Sequence, residues 1–378
     1  MTGLAMSAGS KHIDKRGASV KSFKSLIAVA TLSLVGVGYS SQANAGCPTG
    51  VTLNPLTNPN YLQFGDGLSY SLPILGLSVQ SSPGQINDCL VITSGSGGAV
   101  AQNSLPGLAD NAYDNLQGAQ NPFFQTGSGA NNTDPGGAAQ FNGDSATTWD
   151  VRVNALATFL NGGVPIFYFN HNQVNSCGGI CQDLFAWAQI ILRNDAGTPL
   201  AVYNFEQTGF FGPNTGTPSG DPTTFADANG LPEGPGTVAL SRYARAAGQV
   251  CLGGTGLPGS PIVPCDGSGG PVAATFNENL GANEVANAII FPELNAFLAQ
   301  ASFGGATVMQ IDLRFGCDAA TQGTCPEGSV INNGFEQLFI VSSVTPNPPP
   351  EIPEPGTLAA LGLGLALMAG VTRRRRAK

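Results

Sequence analysis

Glycine and proline restrict the fold of this chain more than any other feature of its sequence. The 52 glycines and 27 prolines together occupy 79 of the 378 positions. In a helix interior glycine costs about 1 kcal/mol and proline about 3 kcal/mol relative to alanine, so this density excludes long helices and favours frequent turns. Hydrophobic residues still make up 42% of the chain, which is enough to build a core. We therefore expect short strands joined by many turns.

The clearest local unit is a β-hairpin over residues 184–205, LFAWAQIILRNDAGTPLAVYNF. Two apolar runs rich in aromatic and β-branched residues flank the turn sequence at 194–197. Four further segments are interpreted as strands: 147–160, 164–170, 307–315 and 335–343. The sequence 161–163, Asn-Gly-Gly, separates the first two, and the last two form a pair whose connection Cys317 and Cys325 hold.

The segment PELNAFLAQA, which begins at Pro292, predicts one short helix. Proline occupies the first helical position, and Leu294, Phe297 and Leu298 share a face. Two stretches, 94–147 and 207–275, lack periodicity and are expected to form long Gly/Pro/Asn-rich loops. The fold class predicted from these elements is mainly β, an antiparallel β-sandwich with one or two short helices.

All eight cysteines lie in the body of the chain. An even number of cysteines is typical of disulfides in an oxidising compartment. Pairing of sequence neighbours predicts Cys47–Cys89, Cys177–Cys181, Cys251–Cys265 and Cys317–Cys325.

The N-terminus has the three parts of a signal peptide. Five basic residues precede an apolar run over 26–37, and Ala43-Asn44-Ala45 matches the small-residue pattern before a cleavage site at Gly46. Two alternatives are an uncleaved anchor helix and lipidation of Cys47. Cleavage is the preferred interpretation because the apolar run is short and Asn44 stands where a lipobox has a leucine-like residue.

The C-terminus combines a short apolar segment with a basic cluster. Residues 358–371 carry no charge, and as a helix they reach only about 21 Å, less than the ~30 Å hydrocarbon core of a bilayer. Arg373, Arg374, Arg375 and Arg376 act as a stop-transfer signal that stays on the cytoplasmic side. The proline-rich sequence TPNPPPEIPEP precedes this segment and predicts an extended spacer.

Pro353-Glu354-Pro355, followed by a Leu/Gly/Ala segment and four arginines, resembles a PEP-CTERM sorting signal. The resemblance covers the last 26 residues or so. It implies transient insertion of the C-terminal helix in the inner membrane and cleavage near the Pro-Glu-Pro motif by an exosortase, in Gram-negative bacteria that make exopolysaccharide. The mature protein then reaches the outer cell surface or the extracellular matrix.

Four parts of the chain follow from these signals. They are a signal peptide (1–45) removed by signal peptidase, a β-rich ectodomain (46–345), a proline-rich spacer (346–355), and the sorting helix with its arginine cluster (356–378). Between Gly46 and Pro350 there are five arginines, no lysine and 21 acidic residues, a net charge of −16. Such a surface repels nucleic acid and anionic lipid, so neither is an expected partner.

Catalytic motifs are not apparent in the body. His171 is its single histidine, and its expected role is that of a polar residue in a hydrogen-bonded turn at a strand end. A zinc site formed with Cys177 and Cys181 is an alternative, although the spacing matches no common pattern. CDGSGGP, residues 265–271, differs from the serine motif of chymotrypsin-like proteases because Gly267 separates Asp266 from Ser268. We expect neither an enzyme nor an obligatory cofactor.

Carboxylates that could bind calcium cluster in loop sequences: Asp110, Asp114, Asp134, Asp144 and Asp150. Calcium prefers several such oxygens on turns. No EF-hand spacing is present, so solvated loop carboxylates are the simpler expectation and no specific metal ligand is assigned. The pairs Phe123-Phe124 and Phe210-Phe211 are expected to anchor loops, with an exposed sugar-stacking surface as the alternative.

The sequence favours a non-enzymatic surface or matrix protein associated with exopolysaccharide and biofilm. The alternatives are a carbohydrate-binding or adhesive module, with or without calcium, and a secreted hydrolase that uses a carboxylate pair.

Intact mass tests the processing signals and the disulfides together. Protein recovered from the surface of its own cells should begin at Gly46 and end near Pro355. Its mass should rise by eight hydrogens on reduction, one for each cysteine. A mass that retains the arginines would instead indicate a lasting inner-membrane anchor.

Overall fold

The structure is a computed structural model that describes residues 47–343, apart from 49, 56, 57, 59, 83, 96–102, 104, 116–121, 128–133, 138, 175–181 and 208–237. Ala43, Ala45, Gly46 and the whole predicted C-terminal sorting region lie outside the described residues. Within the described part, no helix is long and apolar enough to cross a membrane.

Two large sheets form the body. The first has seven strands, in the spatial order β1 (Tyr61–Phe64), β2 (Gly67–Ser71), β14 (Asn287–Ile290), β7 (Pro165–Asn170), β16 (Gln337–Ser342), β3 (Leu90–Ser94) and β4 (Tyr113–Asp114). All neighbours are antiparallel except β3 and β4, which are parallel.

The second sheet has six strands. Its main path is β10 (Ala244–Ala246), β8 (Leu184–Arg193), β15 (Val308–Gly316) and β5 (Phe123–Gln125), while β6 (Trp149–Arg152) also pairs with β15 and β9 (Pro199–Phe205) with β8. A third, small sheet contains β12 (Ile262–Val263), β11 (Gln249–Leu252) and β13 (Ala274–Asn277). The described helices are α1 (Val153–Leu160), α2 (Pro292–Leu298) and α3 (Ala319–Gln322), with 3₁₀ turns at Leu240–Arg242 and Ala301–Gly305.

The two large sheets pack face to face through alternate side chains. The central ladder of the second sheet joins β8 to β15 over eight antiparallel residue pairs. One core cluster contains the inward residues of both sheets, among them Ile190 and Ile311 of the second sheet and Phe167, Ile289 and Ile340 of the first. Each such buried side chain contributes about 1.5–3 kcal/mol. The predicted antiparallel β-sandwich is therefore confirmed.

The outer face of the first sheet is also covered. Tyr168 and Phe339 belong to a second cluster in which loop residues such as Leu72 and Ile86 are completely buried. The disulfide Cys47–Cys89 joins the start of the described chain to this covering segment. This disulfide uses the Cys47 sulfur, which would have to be free for lipidation. Because both faces of the sheet are covered, all six residues of β7 are buried.

On the outer face of the second sheet, a buried ion pair lies beside an aromatic ring. Arg314 and Asp312 are 0% and 1% exposed, and their side chains are 2.7 Å apart. The guanidinium of Arg314 also lies 5.2 Å from the centre of the Trp187 ring, within the range of a cation–π interaction. Although both side chains are buried, each charge lies beside its counter-charge, and the Trp187 ring packs against the guanidinium.

The structure confirms three predicted disulfides, Cys47–Cys89, Cys251–Cys265 and Cys317–Cys325. The fourth predicted pair, Cys177–Cys181, lies outside the described residues. The hairpin of β8 and β9 is present, and the helix predicted at Pro292 is α2, with Pro292 at its start and Leu294 buried.

The strand predicted over 147–160 is wrong in its second half. Strand β6 ends at Arg152 and α1 follows directly. Val153, Leu156 and Leu160 are the buried residues that recur at helical spacing. Asn161, which was expected to separate two strands, ends the helix in the left-handed conformation with φ 46°.

Two other expectations need correction. The strands near the C-terminus, β15 and β16, are both present, but they belong to different sheets and do not pair with each other. The stretches predicted as long loops contain short strands: β4 and β5 in the first, and β10, β11 and β12 in the second. Their apolar residues are too few for a periodic pattern, and pairing with distant strands makes them regular.

Breaking the buried ion pair should be costly. We expect Arg314→Met to lower the free energy of unfolding by about 3–5 kcal/mol, because Asp312 then stays buried without its counter-charge. Arg152→Met removes a more exposed pair with Asp195 and should cost about 1 kcal/mol or less. Urea unfolding of the disulfide-intact proteins measures both values. Equal losses in the two variants would contradict the assignment.

Candidate metal centre

The candidate site begins where the chain before β4 meets β6. Ala109 and Val151 form an isolated antiparallel bridge, which places Asp110 beside Asp150. The backbone N–H of Asp110 donates to the Asp150 carbonyl at 2.9 Å, and the Asp150 N–H donates to Asp110 Oδ2 at 2.8 Å. Both aspartate side chains are completely buried. Backbone pairing therefore brings two carboxylates into the interior.

Two turns add further carboxylates to this position. Asp134 Oδ1 accepts the N–H groups of Gly136 and Gly137, each at 3.0 Å, and Gly137 adopts φ 83°, which glycine allows without strain. Asp144 Oδ2 accepts the N–H of Gln140 at 2.6 Å. In each aspartate, one oxygen fixes the local turn.

The result is a group of three carboxylates. Asp110, Asp134 and Asp144 each place one oxygen within 4.8 Å of the others. Asp134 Oδ2 and Asp144 Oδ1 are buried and have no hydrogen-bond partner within the described part of the chain. Calcium binds carboxylate oxygens at about 2.3–2.6 Å, so one ion can contact oxygens that are this far apart. The donor set, hard oxygens on turns, fits calcium.

The electrostatics of the group are unfavourable without a cation. Burial raises the pKa of Asp110 to about 9, and repulsion by Asp150 and Asp134 adds to the effect. Burial also raises the pKa of Asp144 and places that of Asp150 well above its usual range. A divalent cation among these oxygens would relieve both desolvation and repulsion.

Asp150 lies beside the group and fixes the position of Asp110 through its backbone N–H. Its Oδ1 accepts the Thr148 hydroxyl at 2.6 Å and its Oδ2 accepts the Ser145 N–H at 2.5 Å. Gln140 also belongs to the site, although the sequence did not indicate it. Its side-chain amide donates a hydrogen bond to Asp110 Oδ1 at 3.1 Å. No local pattern marks a glutamine for this role; its partner lies 30 residues earlier.

Three of the five carboxylates singled out in the sequence, Asp110, Asp134 and Asp144, converge. Asp150 lies directly beside Asp110, whereas Asp114 is not part of the group. Asp114 lies on β4, opposite Ser94 of β3. Strand β4 carries it away from Asp110, which precedes the strand.

His171 follows β7 and is completely buried, stacked on Phe169 with ring centres 5.9 Å apart. Neither ring nitrogen has a hydrogen-bond partner among the described residues, and burial lowers the pKa of the imidazole to about 3. The expectation of a hydrogen-bonded turn is wrong. Residues 171–174 form no turn, and the neighbours Asn170 and Asn172 donate their side-chain hydrogen bonds to the distant residues Ser81 and Gly334. Of the alternative zinc ligands, only His171 lies within the described chain.

The described phenylalanines and the segment with Asp266 and Ser268, which the sequence also singled out, have structural roles. Phe124 is buried on β5 and packs against Phe315, while Phe123 is partly buried against the cluster that contains Trp187. Phe210 and Phe211 lie outside the described residues. Asp266 accepts the Ser268 N–H at 2.8 Å in an exposed turn.

Comparison with known families gives two matches. The family model described as Domain of unknown function (DUF8239) matches residues 51–314, well over half of the chain, and this range includes the carboxylate group. The PEP-CTERM protein-sorting motif matches residues 351–376, which confirms the resemblance seen in the sequence. No curated protein and no solved structure matches the chain.

The raised pKa of Asp110 predicts a pH dependence of stability. In chelator, the free energy of unfolding should fall as the pH rises from about 4 to about 9, because Asp110 keeps its proton in the fold and loses it near its usual pKa of 3.8 in the unfolded chain. Asp110→Asn should reduce this slope by up to about 1.4 kcal/mol per pH unit.

Urea unfolding at a series of pH values measures the slope. Asp195→Asn is the control, since Asp195 is exposed and its pKa is lowered. Asp144→Asn is a second variant should Asp110→Asn not fold. An unchanged slope in both cluster variants would contradict the prediction.

Proposed function

The chain belongs to the DUF8239 family and ends in a PEP-CTERM sorting motif, and from this combination we propose that it is a non-enzymatic protein of the cell surface or extracellular matrix. The sorting motif makes it an exported protein processed by exosortase. The finer proposal is that the mature body associates with exopolysaccharide and contributes to biofilm structure.

The observation that carries the proposal is the sorting motif itself, since its resemblance implies delivery to a surface rich in exopolysaccharide. Further support comes from the body. Its net charge of −16 favours solubility outside the cell, and its three described disulfides suit an oxidising compartment. His171 is buried and has no hydrogen-bond partner among the described residues, which include Ser268, so it does not activate Ser268 as a nucleophile.

A deletion strain tests this proposal. Loss of the gene should reduce cell aggregation and change matrix composition, and the full chain should restore both. A chain in which Pro353, Glu354 and Pro355 are replaced by alanine should be exported but fail to restore them, because exosortase recognition is lost. A matrix identical to that of the parent, together with loss of a polysaccharide-hydrolysing activity, would favour the secreted hydrolase instead.

The carboxylate group favours a second candidate function, a calcium-dependent adhesive or carbohydrate-binding module. Asp110, Asp134 and Asp144 come from three separate segments, so one bound ion would link them. Calcium outside the cell is available at concentrations that weak extracellular sites require, about 10⁻⁴–10⁻³ M in Kd. The aromatic sugar surface suggested at Phe124 is not retained, because that ring is buried.

Thermal unfolding tests calcium binding. Calcium at about 100-fold its Kd should stabilise the protein by about 2.7 kcal/mol, and magnesium should do less because it demands a tighter octahedral site. Asp134→Asn combined with Asp144→Asn should remove the calcium effect, and Asp195→Asn should preserve it. A calcium effect that survives the double substitution would place the ion elsewhere.

A glycan array with and without chelator then separates adhesion from a purely structural ion. Binding that disappears with chelator and with the double variant supports a calcium-dependent module. Binding in neither condition rules the module out and leaves the matrix proposal standing on its sorting motif.

A further inference from the structure

A mostly apolar cavity lies between the two large sheets, and none of the three carboxylates Asp110, Asp134 and Asp144 lines it. Its volume is about 80 Å³, whereas a single water needs roughly 10–15 Å³ by a comparable measure. Leu62, Phe169 and Ile289 of the first sheet face Ala188 and Leu313 of the second across it. Protein interiors are normally packed without such gaps.

Small side chains on the second sheet create this space. Ala186 on β8 is paired in register with Ala244 on β10, and both line the cavity together with Ala188. Neighbouring inward positions on β8 carry Leu184 and Ile190, which belong to the common core. The cavity therefore follows from a local run of alanines where the rest of the strand has large apolar residues.

Glu278 is the acidic residue of the cavity wall, which is mostly apolar but also includes Ser69, Arg245 and Asn287. Glu278 is 1% exposed. Its Oε1 accepts the Ser71 hydroxyl at 2.5 Å, whereas Oε2 is buried and has no hydrogen-bond partner among the residues that the structure describes. An unsatisfied buried oxygen costs about 1–3 kcal/mol. A ligand that supplies the missing hydrogen bond would remove this cost.

We propose that this cavity is a binding site for a short aliphatic molecule that ends in an uncharged hydroxyl group. The alkyl chain lies among the apolar side chains between the sheets, and the hydroxyl pairs with Glu278 Oε2. This activity is separate from the proposed matrix function and does not depend on it.

The Glu278 carboxyl in the cavity wall favours a ligand that ends in a hydroxyl over one that ends in a carboxylate. Burial raises the pKa of Glu278 to about 8, so the carboxyl is largely protonated at neutral pH, and a hydroxyl can accept from the acid or donate to the carboxylate. A fatty acid carboxylate is disfavoured because it needs a counter-charge. Arg245 is the basic residue among the described residues that line the cavity, and its guanidinium is engaged by Asp183.

Titration calorimetry with n-alcohols tests the proposal. Ethanol, propanol and butanol should bind the disulfide-intact protein saturably, with affinity rising roughly fourfold for each added CH₂ until the cavity is filled. Butyrate should bind at least about tenfold more weakly than butanol, as expected for an uncompensated charge. Absence of saturable butanol binding, or equal binding of butyrate, overturns the proposal.

Two variants locate the site. Ala188→Leu should abolish butanol binding while melting at the same temperature or higher, because it fills the space. Ala196→Leu, on the exposed turn of the β8–β9 hairpin, adds the same atoms and should leave binding unchanged. Glu278→Leu should weaken butanol binding and reduce the preference for butanol over pentane, which has the same number of non-hydrogen atoms but no hydroxyl. Full butanol binding by Ala188→Leu overturns the proposal. Should that variant not fold, an unchanged preference for butanol over pentane in Glu278→Leu overturns it.

Discussion

The mutual burial of the inner faces of the two large sheets is the interaction on which the rest of the structure depends. The ladder between β8 and β15 provides the rigid centre of the second sheet, and the inward side chains of both sheets form one continuous cluster. Helices α1 and α2 contribute Leu156 and Leu294 to the same cluster. Since glycine and proline prevent long regular elements, stability comes from contacts between strands that are far apart in sequence.

The carboxylate group is a consequence of this arrangement. The bridge between Ala109 and Val151 fixes Asp110 and Asp150 inside the protein, where their charges are costly. The turns that carry Asp134 and Asp144 are held by the remaining oxygens of the same carboxylates. The fold thus tolerates clustered acids at the edge of its core, a distribution consistent with a strongly acidic exported protein in which calcium would act as a local counter-charge.

Packing between the sheets is uneven, and the loosely packed part lies next to a buried acid. Near Leu192 and Met309 large side chains fill the interior, whereas at Ala186 and Ala188 the sheets leave a cavity beside Glu278. A buried acid without a full set of partners and an adjacent apolar space both lower stability. Features that cost stability and lie side by side are typical of binding sites.

The sequence by itself determined the β class, the β8–β9 hairpin, helix α2, three disulfide pairs and the sorting signal, because each depends on residues that are near one another in the chain. It also singled out Asp110, Asp134, Asp144 and Asp150 as acids on turns. Only the tertiary structure decided which of them converge, that β15 and β16 enter different sheets, and that residues 153–160 form a helix at the end of the sandwich. Those outcomes depend on pairing and burial between distant segments, whose energies no local pattern records.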